Sequence, residues 1–208
     1  MVRPARRRLL VTSSTLYRFW EHTEFKPSCC FDVESIVGGT FEDGERAFRR
    51  NYFDNPEPCD IHVVMGINNV SRGQAVEGIV EEILQFEDTV RKHSQKHEHA
   101  IPNRIMFGTC IQPPKYVAFD PTNLPTHIIK NGNHFDRIQR LNEQIRAINL
   151  RNGVNGLAMH MHGVRFTKTA KYHRDEWRED EADKKLHFKL WKKARIGNAV
   201  AKSFTDLV

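Results

Sequence analysis

A polar block that directly follows a buried apolar run is the first candidate site in this sequence. Residues 61–65 form an apolar run of strand length, and Gly66-Ile67-Asn68-Asn69 interrupts it. In an open parallel sheet, the residues after the carboxyl end of a strand line the ligand crevice. The pattern therefore places Asn68 at a candidate catalytic site. Taken alone, it is more typical of a plain strand-to-helix turn, in which Asn68 or Asn69 satisfies nearby backbone groups.

Small polar residues follow two earlier strand-like runs. Ser13-Ser14-Thr15 follows the run that starts at Arg8, and Gly38-Gly39-Thr40 follows residues 29–37. The hydroxyls of the first block are typical of a helix start, because Ser and Thr side chains accept bonds from exposed backbone N–H groups. Helix capping is the simpler interpretation of this block, and a reactive hydroxyl is the alternative.

A pair of histidines, His160 and His162, lies on one face of a strand predicted over residues 156–162. Imidazole nitrogens bind zinc, but a zinc site in a protein needs three or four ligands. No cysteine or carboxylate lies nearby in the sequence to complete such a set. We therefore predict no metal ion and no cofactor.

Strands and helices must position these residues, and the hydrophobic pattern predicts both. Strands are expected at residues 8–13, 29–37, 61–65, 103–110 and 156–162. Helices are expected at residues 16–22, 41–52, 71–96, 134–150 and 186–207. The helices at 71–96 and 134–150 are the clearest, since their apolar residues recur every three or four positions. Between them, the proline-rich residues that begin at Pro113 predict a long loop.

The alternation of strands and helices predicts the fold class. It indicates an α/β protein: a single doubly wound, three-layer domain over residues 1–208, with a five-stranded parallel sheet. The turns at Ser13-Ser14, Gly38-Gly39 and Gly66 to Asn69 would then lie along one edge of the sheet. The segment before His187 is expected at the same edge.

The order of these residues resembles that of the SGNH, or GDSL-like, hydrolases. That family carries a Ser after the first strand, a Gly after the second, an Asn in a G-x-N-D block after the third, and a D-x-x-H block before the last helix. Ser14, Gly39 (or Gly38), Asn68 and His187 fall in the matching places over nearly the whole chain. The resemblance implies an SGNH-like fold. It also implies a mechanism in which the Ser attacks a carbonyl, the His takes its proton, and the Gly amide and the Asn hold the oxyanion.

The catalytic blocks of that family are incomplete in this sequence. Thr12-Ser13-Ser14 stands where the family has Gly-Asp-Ser, and Lys184 stands where the family has an acid three residues before His187. Asp183 lies one residue too early. In the serine-protease template, loss of the acid that orients the His costs about 10⁴-fold in turnover. We therefore expect a degenerate hydrolase without a complete catalytic triad, and not an enzyme.

This sequence also resembles one branch of that fold whose members lack a complete catalytic site. The length, the basic charge and the ending KLHFKLWKKARIGNAVAKSFTDLV resemble the OSK domains, found at the C-terminus of Oskar, the insect germ-plasm organiser. That resemblance implies RNA binding without hydrolase activity, in germ-plasm (polar granule) assembly and germ cell formation. It implies mRNA partners bound through 3′ untranslated regions, other germ-plasm proteins, and a cytoplasmic location at the posterior pole of the oocyte. In that family a LOTUS domain precedes this one, so the chain would be a fragment.

The basic residues favour nucleic acid independently of any resemblance. From Lys184 to Lys202 the chain has seven basic residues and no acidic one. Lysines and arginines on one face neutralise phosphates and release counterions, and Trp177 or Trp191 can stack on an unpaired base. The alternative is a solvated helix face with dispersed charge. The predicted RNA-binding residues are Arg46, Arg49, Arg50, Lys168, Lys171, Arg174, Arg178, Lys185, Lys189, Lys192, Lys193 and Arg195.

Composition and charge limit which classes of partner and cellular location are compatible with the sequence. The 208 residues carry a net charge of +6 with a pI near 9.2, which favours polyanionic partners. No apolar run approaches the roughly 18 residues of a membrane span. Four cysteines without zinc-site spacing indicate reduced, intracellular thiols. Residues 1–7 are expected to form a flexible basic arm, and the isolated domain is expected to be a monomer.

Three hypotheses about function stay open at the level of sequence. The first is an RNA-binding domain on an inactive hydrolase scaffold. The second is an active serine esterase or acyl hydrolase that uses Ser14 and His187, with Asp183 as the acid. The third is a protein-interaction scaffold for which RNA is secondary.

Overall fold

Strands and helices alternate along the described part of the chain. The computed structural model describes residues 6–13, 16, 18–110, 134–154 and 190–205. Its strands are β1 (Arg7–Ser13), β2 (Asp32–Ile36), β3 (Cys59–Val64) and β4 (Arg104–Phe107). Its helices are α1 (Phe41–Asn51), α2 (Ile67–Ser71), α3 (Val76–Lys96), α4 (His134–Arg151) and α5 (Leu190–Thr205).

The described strands form one parallel sheet in the order β2-β1-β3-β4. Leu10 of β1 pairs with Val33 of β2 on one side and with His62 of β3 on the other. The strand order reverses between β1 and β3, which is where open α/β sheets bind ligands. The α/β class and the parallel sheet are confirmed. The described sheet has four strands rather than five, and the fifth predicted strand, residues 156–162, lies outside the described residues.

One face of the sheet carries the larger core. Leu9 and Val11 of β1 and Ile61 and Val63 of β3 are fully buried on this face. Helices α1, α3 and α4 cover this face. The apolar side chains that they bury in the larger core include Phe41, Phe48, Ile79, Ile83, Phe86, Ile138, Leu141 and Ile145. Since helices cover both faces of the parallel sheet, every residue of β3 is buried.

Helix α5 covers the opposite face. The smaller core on this side joins the sheet to α5 through Leu10, Val64, Met106, Ile196, Val200 and Phe204. His62 of β3 points to the same face, where its Nδ1 lies 3.0 Å from Oγ of Ser203. Helices therefore lie on both sides of the sheet.

The longest described helix, α3, is amphipathic. It buries Ile79, Ile83, Phe86 and Val90 at steps of three or four residues. No helix within residues 6–110, 134–154 and 190–205 is long and apolar enough to cross a membrane.

The helix predicted at residues 16–22 is much shorter in the structure. Among the described residues of this stretch, Phe19–Glu21 forms a 3₁₀ turn. The Phe19 ring is fully buried, and it packs edge-on against Phe25 at 5.0 Å between centroids. Aromatic packing of this connection against α5 thus replaces the expected helix.

The helix predicted at residues 71–96 begins later in the structure, at Val76, and a turn separates it from the short helix α2. This turn contains Gly73, whose φ is +84°. Arg137 of α4 donates to the carbonyl oxygens of Val70 and Gln74 on either side of this turn. A contact from α4 thus satisfies backbone groups that a continuous helix would have paired internally.

Arg6 and Arg7, the last two residues of the flexible arm predicted over residues 1–7, form ion pairs with acidic residues of the sheet. Nε of Arg6 lies 2.8 Å from Oδ1 of Asp60, a buried carboxylate at the start of β3. Arg7 is the first residue of β1, and its Nε lies 2.6 Å from Oδ2 of Asp32. The expectation of a flexible arm is therefore corrected for Arg6 and Arg7, because carboxylates at the amino edge of the sheet bind both guanidinium groups.

Candidate functional site

Two described turns lie at the carboxyl edge of the sheet. They follow β2 and β3, and they contain the Gly38-Gly39 pair and the Gly66 to Asn69 block; β1 ends at the same edge with Ser13. Of the degenerate hydrolase positions, Gly39 and Asn68 are described, whereas Ser14 and His187 lie outside the described residues. Two parts of the candidate site can therefore be described: the glycine turn, Gly38-Gly39, and the asparagine turn, Gly66 to Asn69.

The glycine turn and the asparagine turn are in direct contact. Nδ2 of Asn68 donates to the carbonyl oxygen of Gly39 at 2.9 Å. Arg72, just after α2, donates from Nη2 to the carbonyl oxygen of Gly38 at 2.8 Å. The two turns thus form one hydrogen-bonded unit at the sheet edge.

These contacts determine which way the glycine amides point. The C=O and N–H of a trans peptide point in opposite directions, and the described peptides are all trans. Because the Gly38 carbonyl faces Arg72, the Gly39 N–H faces away and donates to the carbonyl oxygen of Ile36 at 3.0 Å. The Gly39 N–H is thus bonded within its own turn, and one N–H of the Asn68 side chain is used on the Gly39 carbonyl oxygen.

Asn69 has a structural role beside Asn68. Its side chain is fully buried, and its Oδ1 accepts a bond from the backbone N–H of Phe41, the first residue of α1, at 3.3 Å. Its Nδ2 donates to the side chains of Gln74 and Glu82, at 2.8 Å each. Asn69 therefore connects α1 and α3 to the end of β3 by hydrogen bonds. Gln74 is close to it in the sequence, whereas Phe41 and Glu82 are more distant.

Gly66 allows the asparagine turn to approach the core closely. Its φ is +109°, and a Cβ at this position would lie 2.6 Å from Sγ of Cys110 and 2.8 Å from the ring of Phe41. The Cys110 thiol donates to the carbonyl oxygen of Met65 at 3.1 Å. Burial raises the pKa of this thiol to about 12, which favours a packing role for Cys110 in this turn.

The arginines predicted on α1 are bound to neighbouring side chains. Arg46 and Arg49 each pair with the glutamate four residues earlier, at 2.7 and 2.6 Å. Nε of Arg50 donates to Oδ1 of Asn51 at 3.2 Å. Phosphate binding by Arg46 and Arg49 would therefore require them to share or exchange these carboxylate partners.

The basic residues of the last helix differ from one another in their surroundings. Lys193 is only 6% exposed, so its ammonium group is not part of an open basic face. Arg195 is exposed and pairs with Glu24 at 2.8 Å between Nε and Oε2. Lys192 lies on α5, but its side chain is outside the described part of the structure. The other predicted residues outside the described ranges are Lys168, Lys171, Arg174, Arg178, Lys185 and Lys189.

Two residues at the sheet edge carry features that sequence reasoning missed. Arg72 and Arg137 bond to main-chain carbonyls of the glycine turn and of the α2–α3 turn. Neither arginine belongs to a charge cluster, so only its position just beyond the Asn block could have drawn attention to Arg72. Among the described residues, no group of three or more His, Cys, Asp or Glu side chains could hold a metal ion. The pair His160 and His162 lies outside those residues.

Comparison by sequence finds no relative: no known family model matches the chain, and no curated protein matches it. Comparison by structure, in contrast, finds solved structures that are similar to this chain. A GDSL-like lipase from Bacteroides thetaiotaomicron matches with a TM-score of 0.67 at 11% identity, over 100% of this chain and 93% of its own.

Two further solved structures have the same fold. A member of the lipolytic protein G-D-S-L family from Veillonella parvula matches with a TM-score of 0.68 at 10% identity, over 98% of this chain and 100% of its own. The aryl esterase of M. smegmatis, in an inhibitor-bound form, matches with a TM-score of 0.64 at 11% identity, over 98% and 100%. At these identities the likeness shows the fold alone: the chain has the α/β fold of the SGNH, or GDSL-like, hydrolases.

Proposed function

We propose that this protein is an RNA-binding domain built on a catalytically inactive SGNH-like scaffold. The observation that carries the proposal is the run from Lys184 to Lys202, which holds seven basic residues and no acidic one. Such a run favours the phosphate backbone of a nucleic acid, because each neutralised phosphate releases counterions.

The proposed loss of hydrolase activity has support from both sequence and geometry. Lys184 occupies the position of the acid three residues before His187, and Gly-Asp is missing before Ser14. The N–H of Gly39 donates to Ile36 within its own turn, away from the side chain of Asn68. Both features support the proposal, because stabilisation of a tetrahedral intermediate needs an oriented imidazole and a pair of converging donors.

Reversal of charge on the last helix tests RNA binding. Because Lys193 is buried, the informative variant changes Lys189→Glu and Lys192→Glu and leaves Lys193 intact. We expect at least a tenfold loss of affinity for single-stranded or stem-loop RNA at low salt, measured by fluorescence anisotropy.

The matched control carries the same change of charge elsewhere. Lys92→Glu with Lys96→Glu alters two exposed lysines of α3, which pair with Asp88 and Asp54. Surface pairs of this kind contribute little to stability, so the control should fold and bind RNA nearly as well as the unmodified protein. An equal loss in both double variants would show that only net charge matters, and it would contradict the placement on α5.

The biological setting is a further part of the proposal. The resemblance to OSK domains supports a role in germ-plasm assembly, with mRNA and other germ-plasm proteins as partners in the cytoplasm of the oocyte. Imaging of a tagged protein in oocytes would test this. Uniform distribution, with no enrichment in posterior granules, would count against it.

A second candidate function is ester hydrolysis by Ser14 and His187, with Asp183 as the acid. The fold shared with lipases and an esterase favours it. The assay is turnover of a small activated ester at high protein concentration. Turnover that disappears in Ser14→Ala would establish this function and overturn the proposed inactivity. Absence of turnover in the unmodified protein would remove it.

A further inference from the structure

Arg72 differs from most described arginines in its bonding. Ion pairs with carboxylates bind Arg6, Arg7, Arg18, Arg46, Arg49, Arg91, Arg104, Arg140, Arg151 and Arg195. Arg72 is exposed, and within the described part of the chain it forms no ion pair. Its Nη2 donates to the neutral carbonyl of Gly38. A guanidinium has five N–H donors, and Gly38 uses one of them.

The position of Arg72 is that of a ligand-binding residue. Strand order reverses between β1 and β3, and the crevice beyond their carboxyl ends is the usual ligand site of an open α/β sheet. Arg72 closes the segment that follows β3, and it contacts the turn that follows β2. Asn68 of the same segment uses one N–H of its side-chain amide on Gly39 and has a second N–H to donate.

The backbone around Arg72 is rigidly supported. The N–H of Arg72 donates to the carbonyl oxygen of Asn68 at 3.0 Å. From α4, Arg137 donates to the carbonyl oxygens of Val70 and Gln74, on both sides of Arg72. A side chain held in this way loses less conformational entropy when it binds a ligand.

Asp43 interacts electrostatically with Arg72 but has other partners. The pKa of the Asp43 carboxyl lies below its usual range, chiefly because the backbone N–H of Thr40 donates to it, and the charges of Arg46 and Arg72 contribute less. That carboxylate also accepts a bond from the hydroxyl of Thr40, and Arg46 lies 3.8 Å away. The Asp43 charge is thus already compensated within α1.

We propose that the edge formed by Gly38, Asn68 and Arg72 binds a phosphodiester group of RNA, with the Arg72 guanidinium as the principal phosphate ligand. A guanidinium matches the geometry of phosphate oxygens through parallel N–H donors. This inference rests on the proposed RNA binding and gives it a second contact region, at the crevice that binds substrate in an SGNH-like fold.

The test is RNA affinity over a salt series. A fluorescein-labelled oligouridylate is titrated with the unmodified protein, Arg72→Gln and Arg72→Lys between about 50 and 200 mM salt. In Arg72→Gln, affinity should fall several-fold, and the slope of log affinity against log salt should become shallower by about 0.7, the value of one phosphate on a single strand. Arg72→Lys should keep the slope, since it keeps the charge.

The control is Arg91→Gln, which removes an exposed, ion-paired charge from α3 far from the sheet edge. It should leave affinity and slope unchanged. If Arg72 only braced the glycine turn, Arg72→Lys and Arg72→Gln would lose affinity equally with an unaltered slope, and the inference would be overturned. If the unmodified protein binds no RNA, the proposed function itself fails. If binding depends on α5 while Arg72→Gln behaves like Arg91→Gln, only this inference fails.

Discussion

At the scale of single residues, Gly66 combines two constraints that can be separated by experiment. Its φ of +109° is unfavourable for a residue with a Cβ, and that Cβ would also collide with Cys110 and Phe41. Gly153 has a φ of +64°, and a Cβ added there would meet no atom within 4 Å. The two glycines therefore differ in crowding and share the backbone conformation.

We predict that Gly66→Ala lowers the free energy of unfolding by about 3 kcal/mol, and Gly153→Ala by about 1 kcal/mol. The left-handed conformation alone costs roughly 1–2 kcal/mol, and overpacking of a core adds a further 1–3 kcal/mol. Urea denaturation followed by circular dichroism measures both variants. Equal losses in the two variants would show that Cys110 and Phe41 move aside at little cost.

Residue roles at this edge were only partly predictable. The pattern of an apolar run followed by Gly and Asn located the asparagine turn correctly, because that signal is local. The partners of Asn69 and Arg72 lie on other elements, and no local pattern encodes them. Spacing that matches a family motif likewise places Gly39 beside Asn68 but does not determine the direction of its N–H.

At the scale of elements, three histidines join the end of α3 to the loop between α1 and β3. The Nε2 atoms of His93, His97 and His99 lie 2.7, 3.0 and 2.8 Å from carbonyl oxygens of that loop. The loop carbonyls belong to Asn55, Phe53 and Pro56. On the other side of the His93 ring, Nδ1 lies 2.7 Å from Nδ2 of Asn103. This network assigns His93 as a neutral ring that donates from Nε2 and accepts at Nδ1.

We predict that the free energy of unfolding decreases as the pH falls below about 6.5, because of His93. Burial is the main cause that lowers the pKa of His93, and the neighbouring His97 and His99 lower it further. The unfolded chain, with a pKa of about 6.5, then binds the proton more tightly than the native protein. The stabilisation is complete above about pH 6.5 and is lost as the pH falls below that value towards the native pKa.

The measurement is the free energy of unfolding of the unmodified protein and of His93→Gln at several pH values between about 5 and 8. The variant should be less stable near neutral pH and should show a flatter dependence on pH. His22→Gln, which changes a histidine outside this cluster, should retain the slope of the unmodified protein. An unchanged slope in His93→Gln would refute the assignment.

The last helix carries two periodic patterns that compete for Lys193. Its spacing groups Lys193 with Lys189 and Lys192 on a basic face, but Lys193 also precedes Ile196 and Val200 by three and seven residues. Those two residues face the sheet, so the same periodicity places Lys193 on the buried stripe. The apolar pattern decides the orientation of such a helix, because burial of apolar surface outweighs solvation of one charge when that charge finds a partner.

At the scale of the whole molecule, hydrophobic periodicity predicted the order and the type of the helices and strands. It did not predict which charged side chains form ion pairs. The pattern identified β1, β3, α1 and α4 within one or two residues. Net charge suggested an open basic surface, yet many described arginines are paired with acids across elements or along one helix. Such pairing depends on how elements pack, which composition does not contain.

The sheet also links the two cores into one unit, and this leads to a prediction about unfolding. Along β1, Leu9 and Val11 belong to the larger core and Leu10 to the smaller one, so the two cores share the strands of one sheet. We predict that Ile145→Val in the larger core and Ile196→Val in the smaller core each cost about 1 kcal/mol. The double variant should cost about 2 kcal/mol, because the two sites lie on opposite faces and share no contacts.

Urea denaturation followed by both circular dichroism and tryptophan fluorescence tests this cooperativity. Every variant should show one transition, with coincident midpoints for the two probes and an unchanged dependence on urea. If Ile196→Val shifted only the fluorescence transition, α5 would unfold separately from the sheet. RNA contacts on α5 would then be weakened by local unfolding as well as by charge reversal, because a helix that detaches no longer holds its basic residues beside the sheet edge.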